Sequence, residues 1–253
     1  MTKNYKAIIL AAGKGNRLLP HTTDLPKCLL RIKGKTILEY QLAALEYSGI
    51  EDVVIVIGHC GEKIKQELGD RAVFLENKDY LTTNSSYSLW LARDYMKEGF
   101  IYINADLIFS YRMIEELLIS KYENAIIVDK KVNLFDDMFK TRMIENKILF
   151  MDKKVDKENC SASVIGPAKF SKKGADMLIN LLDEKIQGGE YTNWCYKIFS
   201  YFAEKYEFYG VEHSGSFWEE IDMLSDIERA DKNMPPDFLP VIGAYVKNKK
   251  VIV

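Results

Sequence analysis

The stretch Leu10-Ala-Ala-Gly-Lys-Gly-Asn-Arg-Leu-Leu-Pro20, followed by Leu25-Pro-Lys27, holds the residues of this chain best suited to chemistry. An apolar run breaks there into Gly13-x-Gly15. A backbone without Cβ atoms can bring its N–H groups against phosphate oxygens. Lys14 and Arg17 sit in the same loop, and Lys27 follows ten residues later. Three cations around one glycine turn suit a triphosphate. Two common phosphate-binding patterns are disfavoured. The third glycine of the dinucleotide fingerprint would fall on Leu18, and no Gly-Lys-Ser/Thr follows the loop. Other chemistry has weaker support. His59-Cys60 is an adjacent pair with poor geometry for a nucleophile and its base. His213 reads as a surface-loop residue and Cys195 as core. The cysteines at 28, 60, 160 and 195 form no Cys-x-x-Cys pair, and three scattered histidines offer no zinc spacing.

The elements that must position this loop alternate in the first half of the chain. Continuous apolar runs at Ala7–Ala12, Asp52–Gly58, Ala72–Leu75, Phe100–Asn104 and Asn124–Val128 read as strands buried on both faces. Helical spacing separates them at Thr36–Tyr47, Glu62–Leu68, Ser85–Met96 and Arg112–Ser120. Such βα units imply an α/β fold with a doubly wound, mostly parallel Rossmann-like sheet, which takes ligands beyond the carboxyl ends of its strands. From Asp129 the texture changes. Residues 137–151 suggest two antiparallel strands, 161–170 a returning strand, and helices recur at Lys172–Ile186, Thr192–Tyr206 and Met223–Met234. We expect one domain over 1–235 carrying a small β insertion at about 129–160, then a tail at 236–253.

The 253 residues include 47% hydrophobic side chains, enough for a sizeable core. A formal charge of −2 argues against a nucleic-acid binder. The longest apolar run is far short of a membrane span, and no leader pattern precedes the first strand. The expectation is a cytoplasmic protein with reduced thiols, no nucleic-acid or membrane partner, and room for a homodimer.

Leu-Ala-Ala-Gly-x-Gly-x-Arg-Leu-x-Pro followed by Pro-Lys resembles the signature of the nucleoside-triphosphate sugar nucleotidyltransferases. Ile37-Leu-Glu-Tyr-Gln41, Val54-Ile-Val-Ile-Gly58 and Asn104-Ala-Asp106 extend the resemblance along most of the chain. Asn84-Ser-Ser-Tyr-Ser-Leu-Trp-Leu-Ala92, Gly189-Glu-Tyr-Thr-Asn-Trp194 and Glu219-Glu-Ile-Asp222 resemble its phosphocholine cytidylyltransferase-like branch. The resemblance implies that Leu10, Ala12, Gly13 and Gly15 line the nucleotide, with Gly58 and Asn84 near its base or ribose. It gives Arg17 the leaving pyrophosphate and Lys27 the transferring phosphate, with Lys14 as a further catalytic cation. It gives Asp106 and Asp222 a shared Mg²⁺, with Asp106 also on the nucleotide. This implies CTP and a small phosphorylated acceptor as partners. A phosphate monoester, with a second pKa of about 6, is already a nucleophile at neutral pH, so no general base is required.

Acceptor identity is the least legible feature. Phosphocholine would call for an aromatic box, for which Tyr191, Trp194, Phe217 and Trp218 are available. An amino-acid phosphate would need a cation for its carboxylate and an anion for its ammonium. Lys130, Lys154, Glu190, Trp218 and Glu219 are the candidate acceptor residues, with Lys131, Arg112, Arg142, Asp136 and Asp137 as further charges. The charge-rich 129–160 segment favours a zwitterionic or anionic acceptor. Among the activities of the branch that the chain resembles, this implies glutamine phosphate, of capsule phosphoramidate synthesis, ahead of phosphocholine and aminoethylphosphonate. The rivals are a sugar-1-phosphate nucleotidyltransferase using UTP, dTTP or GTP, and a non-catalytic nucleotide-binding module.

Overall fold

The computed structural model of the protein describes residues 5–131, 138–236 and 238. The chain opens with β1 (Lys6–Ala11), then the glycine loop, then a small ribbon of β2 (Arg31–Ile32) and β3 (Lys35–Thr36). α1 (Ile37–Tyr47), β4 (Val53–Ile57), α2 (Gly61–Leu68) and β5 (Val73–Glu76) follow. Next come α3 (Ser85–Leu91), β6 (Phe100–Asn104), β7 (Leu107–Phe109), α4 (Tyr111–Ile119) and β8 (Ala125–Asp129). The second half runs β9 (Lys140–Ile144), β10 (Lys147–Asp152), β11 (Ala162–Phe170), α5 (Lys172–Gln187), α6 (Cys195–Lys205), β12 (Tyr209–Glu212), β13 (Trp218–Glu220) and α7 (Leu224–Asn233).

Nine strands form the main mixed sheet in the order β5-β4-β1-β6-β11-β8-β12-β10-β9. It is parallel from β5 to β6 and turns antiparallel at β11. The expected insertion is the β9–β10 hairpin, which extends this sheet. β9 also pairs with the start of β11, so the sheet's end curls back on itself. The stretch 132–137, including Asp136 and Asp137, lies outside the described residues, as does the tail apart from Pro236 and Phe238.

Alternation along the central strands builds two cores. Ile8 and Leu10 of β1 pack with Phe100 and Tyr102 toward α3, α5 and α6. Ala7, Ile9 and Ala11 pack with Ile55 and Ile103 toward α1, α2 and α4. Burial on both faces explains why these strands are continuous apolar runs. α1 starts cleanly because Thr36 Oγ1 accepts from the Glu39 N–H while the Glu39 carboxylate accepts from the Thr36 N–H. α3 is shorter than its helical pattern predicts. It ends at Leu91 and tightens into a 3₁₀ turn at Arg93–Tyr95.

The sequence pattern missed a second, two-stranded sheet of β7 with β13. Its antiparallel register sets Glu219 opposite Ile108 and Glu220 opposite Leu107. Three-residue strands are too short to leave a readable period in sequence, yet this ribbon assembles the site.

Candidate active site

A cleft of about 410 Å³ opens at the carboxyl ends of β1 and β6. Its near wall is the glycine loop. Gly15 has φ +66°, and an added Cβ would lie 3.2 Å from Thr22 Cγ2 and 3.3 Å from Lys27 Cβ. Glycine is therefore required both for the left-handed backbone and for the close approach. Thr22 Oγ1 donates to the Gly15 carbonyl at 2.8 Å, and His59 Nε2 lies 2.9 Å from the Thr22 carbonyl. His59 thus braces the loop from behind, a role sequence reasoning did not assign to it.

Lys27 is the centre of the site. Its ammonium donates to Asp106 Oδ2 at 2.8 Å and Asp222 Oδ1 at 2.6 Å, and only 14% of its side chain is exposed. Burial works against its charge, but Asp106 and Asp222 overcome that and hold its pKa above the usual lysine value. Arg17 reaches the other oxygen of Asp222 at 3.0 Å. The two carboxylates meet because the backbone N–H of Ile221 donates to the Asp106 carbonyl at 2.9 Å. Two further groups fix their turns. Gln41 Nε2 donates to the carbonyls of Asn104 and Leu107, on either side of Asp106. Asp226 Oδ2 accepts from the backbone N–H groups of Asp222 and Met223, both at 2.7 Å.

Glu220 is a cleft residue that sequence reasoning missed. Burial first, then the neighbouring Asp106 and Asp222, push its carboxyl up to about 8, against the opposing pull of Lys27 and Lys153. Asp106 Oδ1 is buried with no hydrogen-bond partner among the described residues. An unpartnered buried carboxylate oxygen beside a second carboxylate fits a hard divalent cation. Among the described residues no group of three or more His, Cys, Asp or Glu forms a metal site by itself. Any such cation would take further ligands from outside the chain.

Leu10, Ala12, Gly13, Lys14, Gly15, Arg17, Lys27, Asn84, Asp106, Trp218 and Asp222 all line the cleft. Asn84 enters it as the cap of α3, its Oδ1 accepting from the Ser85 N–H at 2.7 Å. Five expected residues lie outside the lining. Gly58 is a packing glycine: an added Cβ would sit 2.6 Å from the Ala12 carbonyl oxygen. Lys130 pairs with Glu212 at 3.1 Å, and Glu190 with Lys185 at 2.9 Å. Lys154 points to solvent, and its neighbour Lys153 lines the cleft instead. Glu219 faces Arg229 at 2.5 Å, because successive strand residues point to opposite sides and Trp218 and Glu220 take the cleft side. Of the aromatic candidates Trp194 and Trp218 reach the cleft, whereas Tyr191 meets Tyr87 edge to face and Phe217 meets Phe238 in the same way. His213 is not a surface residue either: its side chain, 8% exposed, lies 3.1 Å from Asp129.

The profile of the MobA-like NTP transferase domain matches residues 7–148, which carry the glycine loop, Lys27 and Asp106. The chain belongs to this family. It is 32% identical over 247 residues to the CTP:phosphoglutamine cytidylyltransferase of Campylobacter jejuni, covering 88% of this chain and 97% of the relative. It is 27% identical over 235 residues to the choline-phosphate cytidylyltransferase of Streptococcus pneumoniae, covering 90% and 97%. Among solved structures it superposes on the CTP:phosphocholine cytidylyltransferase of S. pneumoniae with a TM-score of 0.75 at 23% identity, covering 92% of this chain and 100% of that one. The inositol-1-phosphate CTP transferase of T. maritima gives 0.77 at 22% identity, covering 99% and 98%. The MobA-like NTP transferase chain is thus a nucleotidyltransferase enzyme with a Rossmann-like α/β fold. No helix among its described residues is long and apolar enough to cross a membrane.

Proposed function

We propose that the protein transfers CMP from CTP to a small phosphorylated acceptor, with release of pyrophosphate. Glutamine phosphate is the first candidate acceptor. One observation carries the reading: the Lys27 ammonium grips Asp106 and Asp222 together at the edge of the glycine loop. In the reaction an acceptor phosphate oxygen forms a bond to the α-phosphorus of CTP, and the bond to the β-phosphate oxygen breaks. The acceptor is already dianionic near neutral pH, so no side chain has to remove a proton. The Gly13–Gly15 backbone holds the triphosphate, Lys27 steadies the charge gathering on the transferring phosphoryl group, and Arg17 receives the leaving pyrophosphate. Asp106 and Asp222 would hold Mg²⁺, which when bound supplies charge neutralisation between the two phosphates. The relatives named for CTP support cytidine as the base.

Pyrophosphate release tests this reading, measured with Mg²⁺ across CTP, UTP, dTTP and GTP against glutamine phosphate, phosphocholine, aminoethylphosphonate and sugar 1-phosphates. Release with CTP and a non-sugar acceptor is the expected result. Release only with another nucleotide and a sugar 1-phosphate would overturn it.

A further inference from the structure

The half of the cleft away from the glycine loop is built from Phe139, Lys153, Trp194, Tyr196 and Trp218. Among the described residues of segment 129–160, Lys153 is the basic side chain that lines it. The turn that carries Lys153 is fixed on both sides. Asp152 Oδ1 accepts from the Lys154 N–H at 3.0 Å, and Asp152 Oδ2 accepts from Lys197 at 3.3 Å. Just before it, the Met151 N–H donates to Ser200 Oγ at 2.9 Å, tying the end of β10 to α6. The Lys153 ammonium stands 5.3 Å from the centre of the Phe139 ring and 5.2 Å from that of Trp194. Among the described residues no carboxylate forms an ion pair with it, whereas Lys27 of the same cleft is paired with two carboxylates. Both Lys153 and Lys27 act electrostatically on Glu220, so they belong to one continuous site.

A protein ammonium already placed against these two rings repels a quaternary ammonium from the same position. A cation that makes no ion pair among the described residues, on a fixed turn at the wall of a substrate cleft, is instead suited to an anion on the substrate. We propose that Lys153 selects the acceptor: its ammonium binds a carboxylate carried by the acceptor at a distance from the reacting phosphate. The same charge disfavours acceptors that end in a quaternary ammonium. This rests on the proposed function above and places the acceptor in the half of the cleft away from the glycine loop.

The test is acceptor binding and turnover by wild type, Lys153→Met and Lys153→Arg. Methionine keeps the apolar stem between the two rings and removes the charge. Calorimetric titration with glutamine phosphate should show binding weakened about tenfold or more in Lys153→Met, with near wild-type binding in Lys153→Arg. In turnover the KM for glutamine phosphate should rise by a similar factor while the KM for CTP stays constant. Phosphocholine should be a poor acceptor of the wild type and should improve relative to glutamine phosphate in Lys153→Met. Equal binding of glutamine phosphate by wild type and Lys153→Met would overturn the inference, as would a wild type that binds only acceptors lacking a carboxylate. Either result leaves the CTP assignment standing. Failure of that assignment shows separately, as turnover with another nucleotide.

Discussion

Lys27 brings two carboxylates within 2.8 Å of a single ammonium, and with Arg17 it balances an otherwise acidic corner. A side chain in that position can release the carboxylates to a cation and turn to a phosphate without leaving the cleft. Lys27→Ala should therefore lower kcat/KM by about 10²-fold or more, a typical loss for one charge stabiliser. Steady-state pyrophosphate release, beside circular dichroism to show an intact fold, checks this; a wild-type rate would remove Lys27 from the chemistry. Asp106→Asn should abolish most turnover and also weaken Mg²⁺ binding measured directly by calorimetry. An unchanged Mg²⁺ affinity would take Asp106 out of the cation site.

At the scale of elements, the site depends on short pieces held by distant partners. β13 delivers Trp218 and Glu220 to the cleft, and the turn after it delivers Asp222. Asp226, in the first turn of α7, secures that turn through two backbone N–H groups and is itself held by Arg229 at 2.8 Å. Asp226→Ala should cost about 1 kcal/mol of stability, as loss of a helix cap does. It should also lower kcat by roughly tenfold, because a displaced Asp222 no longer meets Asp106. Denaturant unfolding and kinetics on one preparation separate the two effects. A variant that loses stability while keeping full kcat would show that Asp226 serves α7 alone.

At the scale of the molecule, the two cores share one sheet, and damage to either should be felt cooperatively. Phe170, fully buried, stacks on Phe100 and Phe208 and meets Phe199 and Phe202. Phe170→Ala should cost about 3–5 kcal/mol in urea unfolding, with a single transition followed by both tryptophan fluorescence and circular dichroism. Non-coincident transitions would show that the two halves unfold separately. Asp129 ties β8 to the loop after β12 and to β13. Burial would raise its pKa, but the Lys131 N–H, His213 and Trp218 hold it below the ordinary 3.8. A carboxylate lowered in the folded state stabilises above its unfolded pKa, and that contribution fades as pH falls through the folded value. Wild type should therefore exceed Asp129→Asn in stability at neutral pH, and the gap should close below about pH 3.8. A gap that is constant with pH would assign the effect to packing instead. The sequence by itself determined the central parallel strands, because burial on both faces leaves continuous apolar runs. The glycine loop was legible as well, with Arg17 and Lys27 beside it in one cleft, because these residues lie close together in sequence. Only the tertiary structure decided that Glu220 rather than Glu219, and Lys153 rather than Lys154, face the cleft. Glu219 and Glu220 alternate along a strand whose register comes from pairing with one more than a hundred residues earlier. Lys153 and Lys154 lie in the turn after β10, whose path is set by Asp152 bound to the Lys154 N–H and to Lys197.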